Sequence, residues 1–288
     1  MQDVPFEHYL EAKRLIDDRS LNKRVWETFA TTLGAGRRSV LEIGAGTGTM
    51  LERLAYWGLP GPLDYTGIEP DPGLASMAGR RSYPPEWEAR FENLTLETVS
   101  GAYDAVLANA VLDILPAFES LGRIHRLLRP EGLFYATITF DGLTVFQSLD
   151  DVEKDNEVLK AYHLAMDSRK ITGEGHGGAN AGRMILTMLQ EAGFCLLAAG
   201  SSDWIIAPGK DGYLPEEHIL VTWLLGTIRR AVGEVLSDSR LEGERSRRGI
   251  DLSSPELDRW IAARYRQLEE GRLVVIAHQI DFCSQKLS

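Results

Sequence analysis

Residues 39–48 read Ser39-Val-Leu-Glu-Ile-Gly-Ala-Gly-Thr-Gly48, a short apolar run that ends in glycines at 44, 46 and 48. The aliphatic run predicts a buried strand. The glycines predict a tight strand-to-helix turn where a ligand can approach the main chain, because a side chain would occupy that space. Met50, Leu51 and Leu54 mark the helix behind the turn, which ends near Gly58. A dinucleotide fingerprint, Gly-x-Gly-x-x-Gly or Ala, wants a small residue at its last position. Thr49 stands there, so a nicotinamide or flavin reading loses ground without being excluded.

Working outward, strand and helix signals alternate, the pattern of a parallel sheet covered by helices. A second strand over 63–68 ends at Glu69-Pro70-Asp71, and a third lies near 88–93. The fourth, 103–109, precedes a helix carrying Phe118, Leu121, Ile124 and Leu128. A turn at Arg129-Pro-Glu-Gly132 launches a fifth strand, 133–140. A helix over 181–192 leads to a sixth strand, 194 to about 206, and the last strand is 273–282. Residues 5–33 read as wholly helical, with Leu21, Val25, Phe29 and Leu33 at four-residue spacing, Ser20 as N-cap and Gly34 as the stop. Two intervals stand outside the alternation. Residues 141–179 include a helical pattern on Val158, Leu159, Tyr162 and Met166, and 208–271 carry helical patterns at 216–236 and 255–269. The expected organisation is therefore an α/β core over 35–207 and 272–288, interrupted at 141–179. An N-terminal helical cap spans 1–34, and a helical insertion or lid spans 208–271.

The formal charge is -11, from 42 acidic against 31 basic residues, which disfavours a general nucleic-acid binder. Arg240, Arg245, Arg247 and Arg248 cluster, but Glu242 and Glu244 interleave them and aromatics are lacking, so they read as a solvated loop. The opening residues predict no secretory signal, and no run of about 18 apolar residues predicts a membrane span. Cys195 and Cys283 are far apart in sequence and lack metal-ligand spacing. A cytoplasmic protein without a metal site is expected.

The next test of the glycine turn is an acidic residue ending the second strand, able to hold ribose hydroxyls. Glu69 stands 25 positions after Gly44, consistent with an adenosine-type cofactor of either class. The chain here resembles the class I, Rossmann-like S-adenosylmethionine-dependent methyltransferases. The matching stretches are 40–48, 65–71, 103–112 and 127–133, in the family's order and spacing. The resemblance implies a seven-stranded, mostly parallel sheet with its last strand antiparallel, helices on both faces, and S-adenosylmethionine as cofactor with S-adenosylhomocysteine as product. It implies that Gly44, Ala45, Gly46 and Gly48 line the methionine and ribose part, with Glu42 ordering the loop or reaching the amino group. Glu69 would hold the ribose, Pro70 would lie against the adenine, and Asn93 with Leu94 would stand where the family often has an Asp accepting from the adenine amine. Asn109 and Ala110 would sit under the methyl donor.

Methyl transfer needs a nucleophile held in line with the methyl carbon, and an oxygen or nitrogen nucleophile can need a base. The working face of such a sheet is at the carboxyl ends of its strands. Asp141, read as following strand five, is a candidate base or acceptor-binding group, or equally a turn residue before Gly142. His176, within a glycine-rich stretch, is a candidate base on a closing loop, or part of a plain loop. Tyr162, His163, Arg183 and Trp204 are candidate acceptor-binding residues, although His163 also fits a packed helix face. His278 reads as structural, and Asp281 as lying on the far side of the sheet. Extra helices over the carboxyl edge suggest a lid over a small organic acceptor. Leu220, Val221, Trp223, Leu224, Leu225 and Ile228 would line that pocket, or form core or a dimer contact. A monomer or homodimer without nucleic-acid or membrane partners is expected. The rival readings are a catalytically silent S-adenosylmethionine-binding protein and, more distantly, an NAD(P)-dependent oxidoreductase.

Overall fold

The computed structural model describes residues 4–147, 151–168, 170–171, 174–175 and 178–287. The chain opens with helices α1 (Phe6–Ser20) and α2 (Lys23–Leu33). They are two helices and not one, because the Asn22 side chain accepts from Val25 N at 3.2 Å and caps α2 in place of the expected Ser20. Then follow β1 (Arg38–Ile43), α3 (Thr49–Tyr56), β2 (Leu63–Ile68), α4 (Pro72–Ala78), β3 (Glu88–Glu92), β4 (Tyr103–Asn109) and α5 (Ala117–Leu127). Strand β5 (Leu128–Gln147) leads to α6 (Val152–Ser168), the short pair β6 (Lys170–Ile171) and β7 (Glu174–Gly175), and α7 (Ala181–Met188). The chain continues through β8 (Phe194–Ser201), β9 (Trp204–Ile206), α8 (Pro215–Ser237), α9 (Glu242–Arg247) and α10 (Ser254–Glu269), and closes on β10 (Val274–Lys286).

Among the described residues one eight-stranded sheet has the path β3-β2-β1-β4-β5-β10-β8, with β9 also pairing to β10. Strands β1 to β5 are parallel and β10 runs antiparallel to β5, β8 and β9, the expected mostly parallel α/β fold with its last strand antiparallel. The expected sixth strand is broken in two: β8 and β9 are separated at Ser202 and Asp203, and both pair with β10.

The main departure lies in β5. The expected turn at 129–132 is the start of this strand, which leaves register between Tyr103 and Ala105 of β4, with Glu131 at φ 63°. Nor does β5 stop at 140. Asn109, the end of β4, pairs with Thr137, yet β5 runs on to Gln147 beside Val274. A tongue of β5, β10 and β9 thus projects beyond the carboxyl edge of the parallel strands. The first insertion begins as strand because its residues pair with β10 in place of turning away.

Three apolar cores result. Val25, Phe29, Met50 and Leu54 cover one face of the parallel sheet, and Leu121, Ile124 and Ile185 cover the other. The third joins α1, α6, α8 and α10 to the tongue through Ile16, Val158, Leu225, Ile228, Trp260, Phe146 and Val275. A fully buried side chain of this kind contributes roughly 1.5–3 kcal/mol. Several together fasten the helical layer to the tongue as part of the folded body. Among the described residues no helix is long and apolar enough to cross a membrane.

Candidate active site

The glycine turn lies where β1 ends, between the parallel sheet and α1. Gly44, Gly46 and Gly48 have φ of 67°, 52° and 81°, the left-handed region that disfavours side chains. Their surroundings separate their roles. A Cβ on Gly48 would strike Ala78 at 2.9 Å, so this glycine serves packing between α3 and α4. A Cβ on Gly46 would meet only Leu10 at 3.6 Å and would project into a cavity.

Beside the turn, Glu69 Oε2 accepts from Gly46 N at 2.9 Å, and Oε1 accepts from Asp71 N at 3.0 Å. Each carboxylate oxygen retains capacity for a further donor. Asn93 Nδ2 donates to the carbonyls of Glu69 (3.0 Å) and Pro70 (2.7 Å), so Asn93 braces this turn from behind while Leu94 packs into the core. Glu42 is buried beneath the turn and accepts from the Tyr65 hydroxyl. Burial pushes its carboxyl up to about 7, against the opposing effects of the Tyr65 hydrogen bond and Arg53. At the end of β4, Asn109 Oδ1 accepts from Thr137 Oγ1 at 2.8 Å, and Ala110 turns away at φ 53°.

These groups open into a cavity of about 440 Å³. Its lining joins Glu42, Gly44, Ala45, Gly46, Glu69, Pro70, Asn109 and Ala110 to Tyr162 and Trp204. It also contains residues that the sequence reading missed: Tyr9, Lys13 and Asp17 of α1, Asp113, Phe140 and Thr144, and Gln279 of β10. Trp223 and Leu224 line it, whereas Leu220, Val221, Leu225 and Ile228 are core. Lys13 pairs with Asp17, which also accepts from Trp204 Nε1 at 3.0 Å. Burial lowers the Lys13 pKa despite the pull of Asp17. Tyr9 stacks on Trp223 with ring centroids 3.7 Å apart. The legible signal was a Lys-Asp pair at i, i+4 on the same helix face as Tyr9 and Ile16. Charges on a buried stripe ask for partners.

Helix α1 is clasped to the glycine turn by charge. Glu11 accepts from Thr47 Oγ1 at 2.8 Å and pairs with Arg81, which also reaches Glu52 at 3.1 Å. Arg14 bonds Glu52 at 2.5 Å, and Arg53 pairs with Asp18.

Other expected site residues lie elsewhere. Because β5 continues past 140, the pleat turns Phe140 into the cavity, whereas Asp141 accepts from Arg183 N (2.8 Å) and Nε (2.9 Å) at the start of α7. Arg183 is thereby committed to Asp141. His163 stands edge-on to Phe140, and burial lowers its pKa; it does not line the cavity. His176 lies outside the described residues. His278 Nδ1 is 2.7 Å from Asp203 Oδ1, outside the cavity lining. Asp281 is not remote as expected. It accepts from Asn22 N (2.7 Å) and from Ile138 N (2.8 Å), and Ile138 lines the cavity with φ 55°, a strained value for a β-branched residue. Both cysteines are free, Cys195 exposed and Cys283 buried. Among the described residues no cluster of three or more His, Cys, Asp or Glu could hold a metal ion.

The sheet order, the glycine turn and the acidic residue closing β2 define the Rossmann-like methyltransferase class. The family model of a methyltransferase domain matches residues 11–198. No curated protein matches the sequence. Among solved structures, a candidate methyltransferase from Bacillus halodurans is 12% identical, with a TM-score of 0.50, covering 93% of this chain and 100% of its own. A methyltransferase from Thiobacillus denitrificans in complex with S-adenosyl-L-homocysteine is 13% identical, with a TM-score of 0.49, covering 99% and 100%. The cyclopropane synthase MmaA2 from Mycobacterium tuberculosis is 13% identical, with a TM-score of 0.46, covering 98% and 99%. The chain belongs to the class I S-adenosylmethionine-dependent methyltransferases, and S-adenosylmethionine is its cofactor.

Proposed function

We propose that the protein transfers the methyl group of S-adenosylmethionine to a small organic acceptor held between the tongue and helices α1 and α8. The observation that carries this reading is one continuous cavity whose lining includes both the glycine turn and residues of the helical layer. Gly44, Ala45 and Gly46 would lie along the methionine and ribose, Glu69 would accept from the ribose hydroxyls, and Pro70 would flank the adenine. Glu42 would face the amino group, and Asn109 with Ala110 would support the donor end. Gly48, Asn93 and Leu94 would act from behind by holding the two turns. The cofactor supplies an electrophilic methyl on a sulfonium. The chain's own work is to align the acceptor, exclude water and take up any proton released. A concave cavity of about 440 Å³ suits a small molecule better than a folded protein. The acidic charge disfavours nucleic acid, and a cytoplasmic monomer or homodimer fits the composition.

Calorimetry with S-adenosylhomocysteine tests the site. Wild type is expected to bind, and Gly46→Val to lose binding because its side chain would fill the cavity mouth. Undiminished binding by Gly46→Val would overturn the assignment. Incubation with methyl-labelled S-adenosylmethionine and a cell metabolite extract tests the acceptor; label appearing only in macromolecules would sink the small-molecule reading.

A further inference from the structure

Resting on the methyl-transfer reading, one buried carboxyl group beside the donor end has a task that its neighbours define. Strand β5 carries a β-bulge there. Ile280 of β10 pairs with Thr139 and Phe282 with Ala136, so two residues, Thr137 and Ile138, face the single Asp281. Ile138 holds φ at 55°, a conformation that glycine adopts far more readily than a β-branched residue. Its N–H donates to Asp281 Oδ1 at 2.8 Å, and Asp281 Oδ2 accepts from Asn22 N at 2.7 Å. Asp281 is fully buried, which is costly for a carboxyl group unless its oxygens find donors.

The bulge decides which side chains meet the cavity. Ahead of it, Tyr135 stacks on Phe29 of α2 at 4.6 Å, while Phe134 and Ala136 join the opposite core with Ile185 of α7. Beyond it, Asp141 accepts from Arg183 N of α7, and Ile138 and Phe140 line the cavity. Tyr135 and Asp141 are both odd-numbered, so an unbroken pleat would put them on one face. They meet helices on opposite faces because the extra residue inverts the alternation. The bulge also touches the donor end directly. Thr137 O accepts from Ala110 N at 2.9 Å, and Thr137 Oγ1 donates to Asn109 Oδ1 at 2.8 Å. Asn109 and Ala110 line the same cavity as Gly44 and Gly46.

We propose that Asp281 is a positioning residue for methyl transfer. By accepting from Ile138 N it holds the bulge that turns Ile138 and Phe140 into the cavity and, through Thr137, seats Asn109 and Ala110 under the methyl donor. The test is calorimetry with S-adenosylhomocysteine on the full chain, well below each variant's unfolding midpoint. Asp281→Ala is expected to lower affinity on the order of tenfold, because an unsupported left-handed isoleucine depopulates the bulged form. Ile138→Gly is expected to bind measurably, although more weakly than wild type, since glycine takes the bulged conformation unaided. In that background Asp281→Ala is expected to cost less than about twofold. A residue that served only the stability of the fold would shift the unfolding midpoint and leave the affinity of the folded protein unchanged. Unchanged affinity in Asp281→Ala, or an Ile138→Gly protein that does not bind, would overturn the proposal. So would an equal loss in both backgrounds, which would assign the effect to Asn22 and α2. Should Asp281→Ala not fold, Asp281→Asn replaces it in both backgrounds, because its one carbonyl oxygen cannot serve both donors, and the same outcomes decide. A wild type that fails to bind S-adenosylhomocysteine sinks the methyl-transfer reading instead. The crystal structure of the Asp281 variant then decides the role of Asp281. Ile138 is expected to leave positive φ and Phe140 to turn from the cavity, and an unchanged β5 overturns the proposal.

Discussion

The two halves of the cavity are built by opposite means. The donor half comes from the carboxyl ends of β1, β2 and β4, and its central feature is main chain exposed at Gly44 and Gly46 beside one carboxylate, Glu69. The acceptor half is assembled from side chains on α1, β5, α6, β9, α8 and β10, which are far apart in sequence. Main chain presented at a sheet edge demands particular residues at particular spacings, so it leaves a local signature. Side chains converging from distant elements leave none, because each position has only to be apolar, aromatic or paired.

The sharpest way to break the comparison is Gly46→Val. In the donor half one branched side chain should bring S-adenosylhomocysteine binding below detection by calorimetry. The unfolding midpoint should fall only modestly, since the left-handed conformation costs a branched residue roughly 1–3 kcal/mol. No substitution of one apolar wall residue in the acceptor half should affect cofactor binding as strongly.

The next largest effect belongs to the Lys13–Asp17 pair. Asp17→Ala strands a buried ammonium and leaves Trp204 Nε1 without its acceptor, a loss of about 3–5 kcal/mol expected in urea unfolding. Replacing both partners by apolar residues, Lys13→Met with Asp17→Leu, should recover most of that loss. If the double variant is stable and binds S-adenosylhomocysteine but no longer transfers methyl to its acceptor, the pair serves the chamber. If transfer persists, the pair serves folding.

These two regions also mark how far the sequence could be read. The glycine turn, Glu69 closing the second strand and the alternation of strands and helices were legible because turn, spacing and alternation are local physics, and the resemblance added the site roles of Glu42 and Gly46. Asp141 was misread for a physical reason: Gly142 looked like a turn, but residues 144–147 pair with β10 and carry the strand onward, so the pleat directs Asp141 to α7. Gln279 was invisible as a site residue because its place on the cavity lining depends on tertiary neighbours, whereas the sequence signal for Asp17, its pairing with Lys13 at i, i+4 on an apolar helix face, shows a buried pair without showing a cavity. The strain at Ile138, held by Asp281, was likewise unreadable, since nothing local predicts a left-handed isoleucine.

A smaller effect separates the halves by pH. The Glu42 carboxyl titrates near 7 in the fold against about 4.5 when free, because burial disfavours its charge. Its protonated form therefore adds stability that is fully present below about 4.5 and is lost as pH rises through 7. Asp281, pushed up to about 6 by burial, acts in the same direction between about 3.8 and 6. Glu42→Gln keeps an acceptor for Tyr65 and removes the titration. Wild type and variant should be closest in stability near pH 4.5, with the variant gaining as pH approaches 7.5. Equal pH profiles in urea unfolding would mean that Glu42 is ionised in the fold throughout.

The smallest effect lies at the seam between the halves, where Glu11 of α1 holds Thr47 of the glycine turn and Arg81. Its side chain is 43% exposed, and pairs of that kind contribute about 0–1 kcal/mol. Glu11→Ala should therefore barely move the unfolding midpoint. It removes, however, the direct tie between α1, which walls the acceptor chamber, and the turn that receives the cofactor. Affinity for S-adenosylhomocysteine should fall a few-fold, and the wild-type advantage should shrink as salt screens the pair. An advantage that persists at high salt would assign the coupling to the Thr47–Glu11 hydrogen bond over the ion pair. No change at any ionic strength would show that α1 covers the cavity without acting on the turn.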